Sequence, residues 1–124
     1  MSAMGSRSAT LPPDKLSDKV VRQQLTRILG SKTFSQIERL KRFISFIDGE
    51  TVCGRGGELK EYVIGVQVFG KEPSFDPRTD PIVRVQARRL RARLARFYRD
   101  EGHNDELIVD LPKGGYAPAF RLRE

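Results

Sequence analysis

Apolar residues recur along this chain at helical spacing in four places and at strand spacing in one. Val20, Val21, Leu25, Ile28 and Leu29 share one face of a predicted first helix, which the Ser17 hydroxyl can cap and Gly30-Ser31 can end. Phe34, Ile37, Leu40, Phe43, Ile44 and Ile47 form the stripe of a second helix, expected from Thr33 or Ser35 onward and weakened near its end by Gly49. Gly54, Gly56 and Gly57 mark a loop. Glu58 to Phe69 then predicts a shorter third helix burying Leu59, Val63 and Val66, with a strand as the alternative because Val63, Ile64, Val66 and Val68 are β-branched.

GKEPSFDPRTDP reads as a loop, and its last two residues, Asp80-Pro81, start a helix: Asp accepts an orphan N–H bond and Pro tolerates the first turn. Val83, Ala87, Leu90, Leu94 and Phe97 follow at spacings of 4, 3, 4 and 3, so a fourth helix is predicted over Pro81–Arg99, with Gly102 near its end. Leu107, Val109 and Leu111 alternate with polar residues, interrupted by Ile108. Pro112-Lys113-Gly114-Gly115 can turn, and Tyr116 to Phe120 can return as a second strand. The expected fold is mainly α with a C-terminal β-hairpin, about four helices plus a wing, in the order of a winged helix-turn-helix.

The length, 124 residues, fits one domain. We expect residues 1–13, small and polar with Pro12-Pro13, to be a disordered lead, and residues 14–124 to be the domain. The lone Cys53 leaves no internal disulfide and suits a reducing cytoplasm. No apolar run approaches a membrane span, and no signal peptide opens the chain.

Charge changes the picture more than composition does. The chain has 23 Lys+Arg against 16 Asp+Glu, formally +7. Seven arginines and no acid lie between Asp80 and Asp100, and the remaining 16 basic residues are balanced by the 16 acidic ones. The whole excess therefore sits on the fourth helix, and such an excess favours a polyanion. On a helical wheel Val83, Ala87, Leu90, Leu94, Phe97 and Tyr98 fill an arc of ~100°. Arg84, Arg88, Arg91 and Arg99 lie on one flank of that arc; Arg89, Arg93 and Arg96 lie on the other, beside Val85 and Gln86. One face can be buried while guanidinium groups project from both sides of the other, where they suit phosphates or guanine edges. A merely solvated helix would intersperse Glu for i,i+4 pairing, and this one has none. A basic membrane-surface or calmodulin-target helix is opposed by the absence of Trp and by a stripe suited to the chain's own core.

Features suggestive of other chemistry have plainer explanations. His103 is the only histidine, so neither a zinc site nor a Ser-His-Asp or Cys-His arrangement is indicated. Asp76 and Asp80 each precede a proline in a turn-rich loop and read as caps. CGRGG and PKGG lack the GxxxxGK[ST] phosphate-loop pattern. Lys60 and Arg55 are either backbone contacts from the loop before the third helix or solvated cations. No cofactor, metal or catalytic residue is expected, and the chain does not read as an enzyme.

VRVQARRLRARL (Val83–Leu94) resembles the recognition-helix pattern V-D-V-H-I-x-R-L-R-x-K-L of OmpR/PhoB-type winged-helix domains. VFG followed by RTDPIVRV resembles their approach to that helix, and IVDLPKGGYAPAF resembles their wing. LKEYVIGVQVFGK, FDPRTDPIVRVQARRLRARL and LPKGGYAPAF together resemble, more closely, a bacterial domain at the N-termini of proteins with tetratricopeptide, adenylate-cyclase or TolB-like regions. The resemblance covers about residues 17–122. It implies that Arg89 reads a base, that Val85 lies near a thymine methyl, and that Gln86 replaces a usual His. It further implies that Arg88 and Arg91 hold phosphates and that Lys113, offset by one position, stands for the wing-tip Arg. The four-stranded N-terminal sheet of response-regulator effectors is replaced by the helix over 17–29, and control through a fused receiver is not implied. Asp110, in the wing strand, would repel phosphate.

The expected function is sequence-specific double-stranded DNA binding, in a cytoplasmic, nucleoid-associated bacterial transcription regulator. The residues expected to carry it are Arg84, Val85, Gln86, Arg88, Arg89, Arg91, Arg93, Arg96 and Lys113. Further partners that fit are a second copy, as a homodimer or in tandem on DNA, and RNA polymerase; a membrane is not among them. The rival classes are an RNA- or ribosome-binding module and an adaptor docking on acidic protein partners. The 10 aromatics read as core and offer no sheet platform for single-stranded RNA.

Overall fold

The first helix begins where its cap is placed. In the computed structural model, which describes Thr10–Leu11 and residues 17–123, helix α1 spans Asp18–Leu29 and the Ser17 hydroxyl accepts the Val20 N–H at 3.2 Å. It buries Val21, Gln24 and Ile28, but Val20, expected on that face, is 43% exposed. Gln24 is buried instead, donating to Asp105 Oδ2 at 2.9 Å and to the Tyr98 hydroxyl at 3.1 Å.

Helix α2 runs Glu38–Val52 and starts later than the stripe suggested. The Glu101 carboxylate accepts the Lys32 and Thr33 N–H groups at 2.9 and 3.0 Å, and Gln36 takes a left-handed φ of 64°. Residues 31–37 are thereby held as turns that still bury Phe34. Gly49 does not end α2, which carries on to Val52.

A 3-10 turn at Gly56–Glu58 leads to helix α3, Glu61–Gln67, shorter than the Glu58–Phe69 expected. It buries Ile64 and Gly65, while Val63 and Val66 are only half-buried. Gly65 lies against the Phe75 ring, which a Cβ would strike, so the loop after α3 packs on that face.

Helix α4 spans Ile82–Arg99, one residue inside the predicted start. Asp80 Oδ1 accepts the Ile82 N–H at 3.1 Å, and its other oxygen pairs with Lys71 at 2.9 Å. Strands β2 (Leu107–Asp110) and β3 (Ala119–Leu122) form the antiparallel hairpin, with Val109 opposite Phe120 and Asp110 opposite Ala119. The return strand is therefore shifted from the Tyr116–Phe120 expected. Strand β1, Thr10–Leu11, adds to the far side of β3, giving a three-stranded sheet in the order β1-β3-β2. This corrects the expectation of a disordered lead at those two residues, because pairing with β3 satisfies their backbone; residues 1–9 and 12–13 of that stretch lie outside the described residues.

The four helices and the hairpin enclose one core, with Phe34, Phe43, Phe97, Phe120, Ile64 and Leu90 among its fully buried side chains. Tyr98 joins its two parts: its hydroxyl donates to the Leu107 carbonyl and accepts the Val109 N–H, both at 2.9 Å. Among the described residues no helix is long and apolar enough to cross a membrane.

Candidate nucleic-acid interface

Helix α4 is oriented by its apolar stripe. Val83, Ala87, Leu90, Leu94 and Phe97 are all buried, which turns the opposite face outward. Arg88, Arg89, Ala92, Ala95, Arg96 and Arg99 are exposed there and Val85 is half-buried. Small Ala92 and Ala95 among long guanidinium side chains leave room for a close approach to the helix backbone.

The seven arginines are not equivalent. Arg84 pairs with Glu61 of α3 at 2.9 Å. Arg91 donates through Nε to the Leu111 carbonyl at 2.8 Å and through Nη2 to the Pro112 carbonyl at 3.4 Å. Arg93 donates to the Thr33 carbonyl at 3.1 Å, and Arg96 lies 3.9 Å from Asp100. Among the described residues Arg88, Arg89 and Arg99 have neither an ion pair nor a hydrogen bond for their guanidinium groups.

Two clefts flank α4. On the hairpin side, Arg84, Arg88, Arg91, Lys113, Gly114 and Tyr116 line a cleft of about 350 Å³. Gly114 has a φ of 96°, a left-handed conformation that lets the chain turn at Lys113 and present it to the cleft. Tyr116 lines its wall half-buried; burial and the neighbouring Glu61 carboxylate raise its phenol above the usual range, against the pull of Arg84 and Arg91. On the α2 side, Ile37, Leu40, Gln86, Arg89, Ala92 and Arg93 line a second cleft of about 390 Å³. Gln86 is only 5% exposed, so it forms the wall of this cleft and does not stand on the outward face. That is a correction with a geometric reason: Gln86 falls ~20° from Phe97 on the wheel, at the edge of the buried stripe.

The structure thus brings Arg84, Arg88, Arg91 and Lys113 together on one flank and Gln86, Arg89 and Arg93 on the other, with Val85 between them and Arg96 nearer the C-terminal end. Arg99, on the same flank of the wheel as Arg88 but outside the expected set of binding residues, is one of the three guanidinium groups without a partner among the described residues. Of the two cations set aside, Arg55 makes a two-bond pair with Glu50 at 2.8 and 3.0 Å, and Lys60 is exposed just before α3. Asp76 and Asp80 act as caps: Asp76 Oδ1 accepts the Arg78 N–H at 3.0 Å. Compared with known proteins, the chain matches no family model, no curated protein and no solved structure.

Proposed function

We propose that this chain is a winged helix-turn-helix domain that binds double-stranded DNA with sequence preference, as the reading head of a transcription regulator. The observation that carries this reading is the outward face of α4: its cations stand around small residues, no carboxylate lies on the helix, and three guanidinium groups have no partner among the described residues. Such a face fits a major groove, with base edges at its centre and phosphates at its margins. Arg89 is the base reader, Val85 lies beside it, and Arg88, Arg99 and Lys113 grip phosphates. The turn from Leu111 to Pro118 serves as the wing.

The test is titration of short duplexes at several salt concentrations, followed by selection from a random duplex library. With about three phosphates neutralised, log affinity should fall against log salt with a slope of about −2.7. Flat salt dependence, or preference for single-stranded RNA, would sink the proposal. Salt-resistant binding to an acidic protein without duplex affinity would favour an adaptor.

A further inference from the structure

We infer that Arg91 is a positioning residue that latches the turn between β2 and β3 onto α4, and is not itself a phosphate contact. The turn has little else to hold its tip. Leu111 and Pro118 are buried and anchor its ends, while Pro112 to Gly115 are exposed. Among the described residues, the hydrogen bonds reaching the backbone from Leu111 to Pro118 are three. The Leu111 N–H donates to Asp110 Oδ1 at 2.9 Å, and Arg91 supplies the other two, to the Leu111 and Pro112 carbonyls.

A guanidinium suits this task because its planar fork can hold two successive carbonyls at once, which fixes direction as well as distance. The residue after Pro112 is Lys113, which lines the same cleft as Arg88. Pinning the start of the turn therefore sets where the Lys113 ammonium stands relative to the outward face of α4. Arg91 is half-buried and its fork is already engaged, so a phosphate would have to displace it from both carbonyls, including that of buried Leu111. Its charge still adds to the local field, but its directional bonds belong to the turn.

The consequence for duplex binding rests on the function proposed above; the latch itself does not, and the test separates the two. Arg91→Lys keeps the charge and loses the fork, whereas Arg91→Ala loses both. Backbone ¹⁵N relaxation on the free protein should give order parameters of about 0.8 for Lys113–Gly115 in the unsubstituted chain and below about 0.6 in both variants. Order parameters at Val109 and Phe120 should not change. In duplex titrations Lys113→Ala should weaken binding several-fold alone and by less than about twofold when added to Arg91→Ala, the non-additivity expected of coupled residues. Unchanged turn order in Arg91→Ala, or strictly additive losses, would overturn the latch. So would Arg91→Lys with the order and affinity of the unsubstituted chain, since charge alone would then suffice. If the unsubstituted protein binds no duplex, the function proposed above fails, and the order parameters alone decide the latch.

Discussion

Asp48 is a carboxylate with little to bond. It is 2% exposed on α2, and its Oδ1 is the one buried side-chain polar atom without a partner among the described residues. Burial alone pushes its pKa up from 3.8 to about 7. The folded chain therefore keeps this proton over a range in which the unfolded chain has released it. Stability from this group is unaffected below about pH 4, falls by about 1.4 kcal/mol per pH unit toward pH 7, and is level above that. Glu101 and Asp105 act in the opposite sense. Backbone N–H bonds from Lys32 and Thr33 lower the one, and bonds from Arg27 and Gln24 outweigh burial to lower the other, so their stabilisation is lost only under more acidic conditions. Denaturant unfolding from pH 4.5 to 8 should accordingly show a fall that Asp48→Asn abolishes, and the variant should gain on the parent as pH rises. A variant whose stability declines in parallel with the parent would place the cause elsewhere.

Also at the residue scale, adjacent arginines are expected to do different work. Arg88 and Arg89 are both exposed and have no partner among the described residues, but they border different clefts. Arg89→Ala should cost about 1–3 kcal/mol on a preferred site and relax discrimination at one base pair; Arg88→Ala should weaken all duplexes alike and flatten the salt slope by about one. Affinities for a selected and a scrambled duplex at two salt concentrations separate these outcomes. If Arg89→Ala leaves the ratio of the two affinities intact, the reading residue is another.

At the scale of elements, α4 serves as both core and surface. Leu90 is 0% exposed and Leu94 is 2% exposed, so truncation of either to Ala should cost about 2–5 kcal/mol, measured by denaturant unfolding. Near-neutral values in both would mean that the helix is turned the other way. Helix α1 buries Val21 and Ile28 in the core and is also tied by polar bonds to the C-terminal end of α4 and the loop after it. Arg27 grips Asp105 through two bonds at 2.9 Å, and Gln24 reaches both Asp105 and Tyr98. Val20 faces solvent because the wheel places it ~100° from Val21 and ~80° from Ile28, outside the buried arc. The late start of α2 has a similar origin, since Glu101 takes N–H groups that a helix beginning at Thr33 would leave without partners.

Across the whole molecule, the charge excess is confined to α4 but is partly neutralised there from outside. Glu61, on α3, pairs with Arg84 at 2.9 Å and so withdraws one cation from the hairpin-side cleft. Glu61→Gln should release it, tightening duplex binding and steepening the salt slope by up to about one. A weaker or unchanged slope in that variant would mean that Arg84 already faces away from the duplex. Two of the arginines on α4 also hold the flanking segments in place, Arg93 at Thr33 and Arg91 at the hairpin turn, so the helix organises its surroundings as well as presenting a face.

What the chain determined by itself is what local periodicity and composition control. The 4-3-4-3 stripe of α4, the Asp80 cap and the absence of acids from residue 81 to residue 99 depend only on near neighbours, and together they set the orientation and sign of the helix. The burial of Gln86 was equally legible, since the same wheel places it beside Phe97. Which guanidinium groups stay free was a matter for the tertiary structure. Their partners lie 23 positions away at Glu61, 60 at Thr33, and 20 and 21 at Leu111 and Pro112. Three of those four contacts are to backbone carbonyls, which carry no residue-type signal at all. The third strand came by the same route: Thr10–Leu11 has no strand pattern of its own, and it became a strand because the outer edge of β3 offered its backbone a partner.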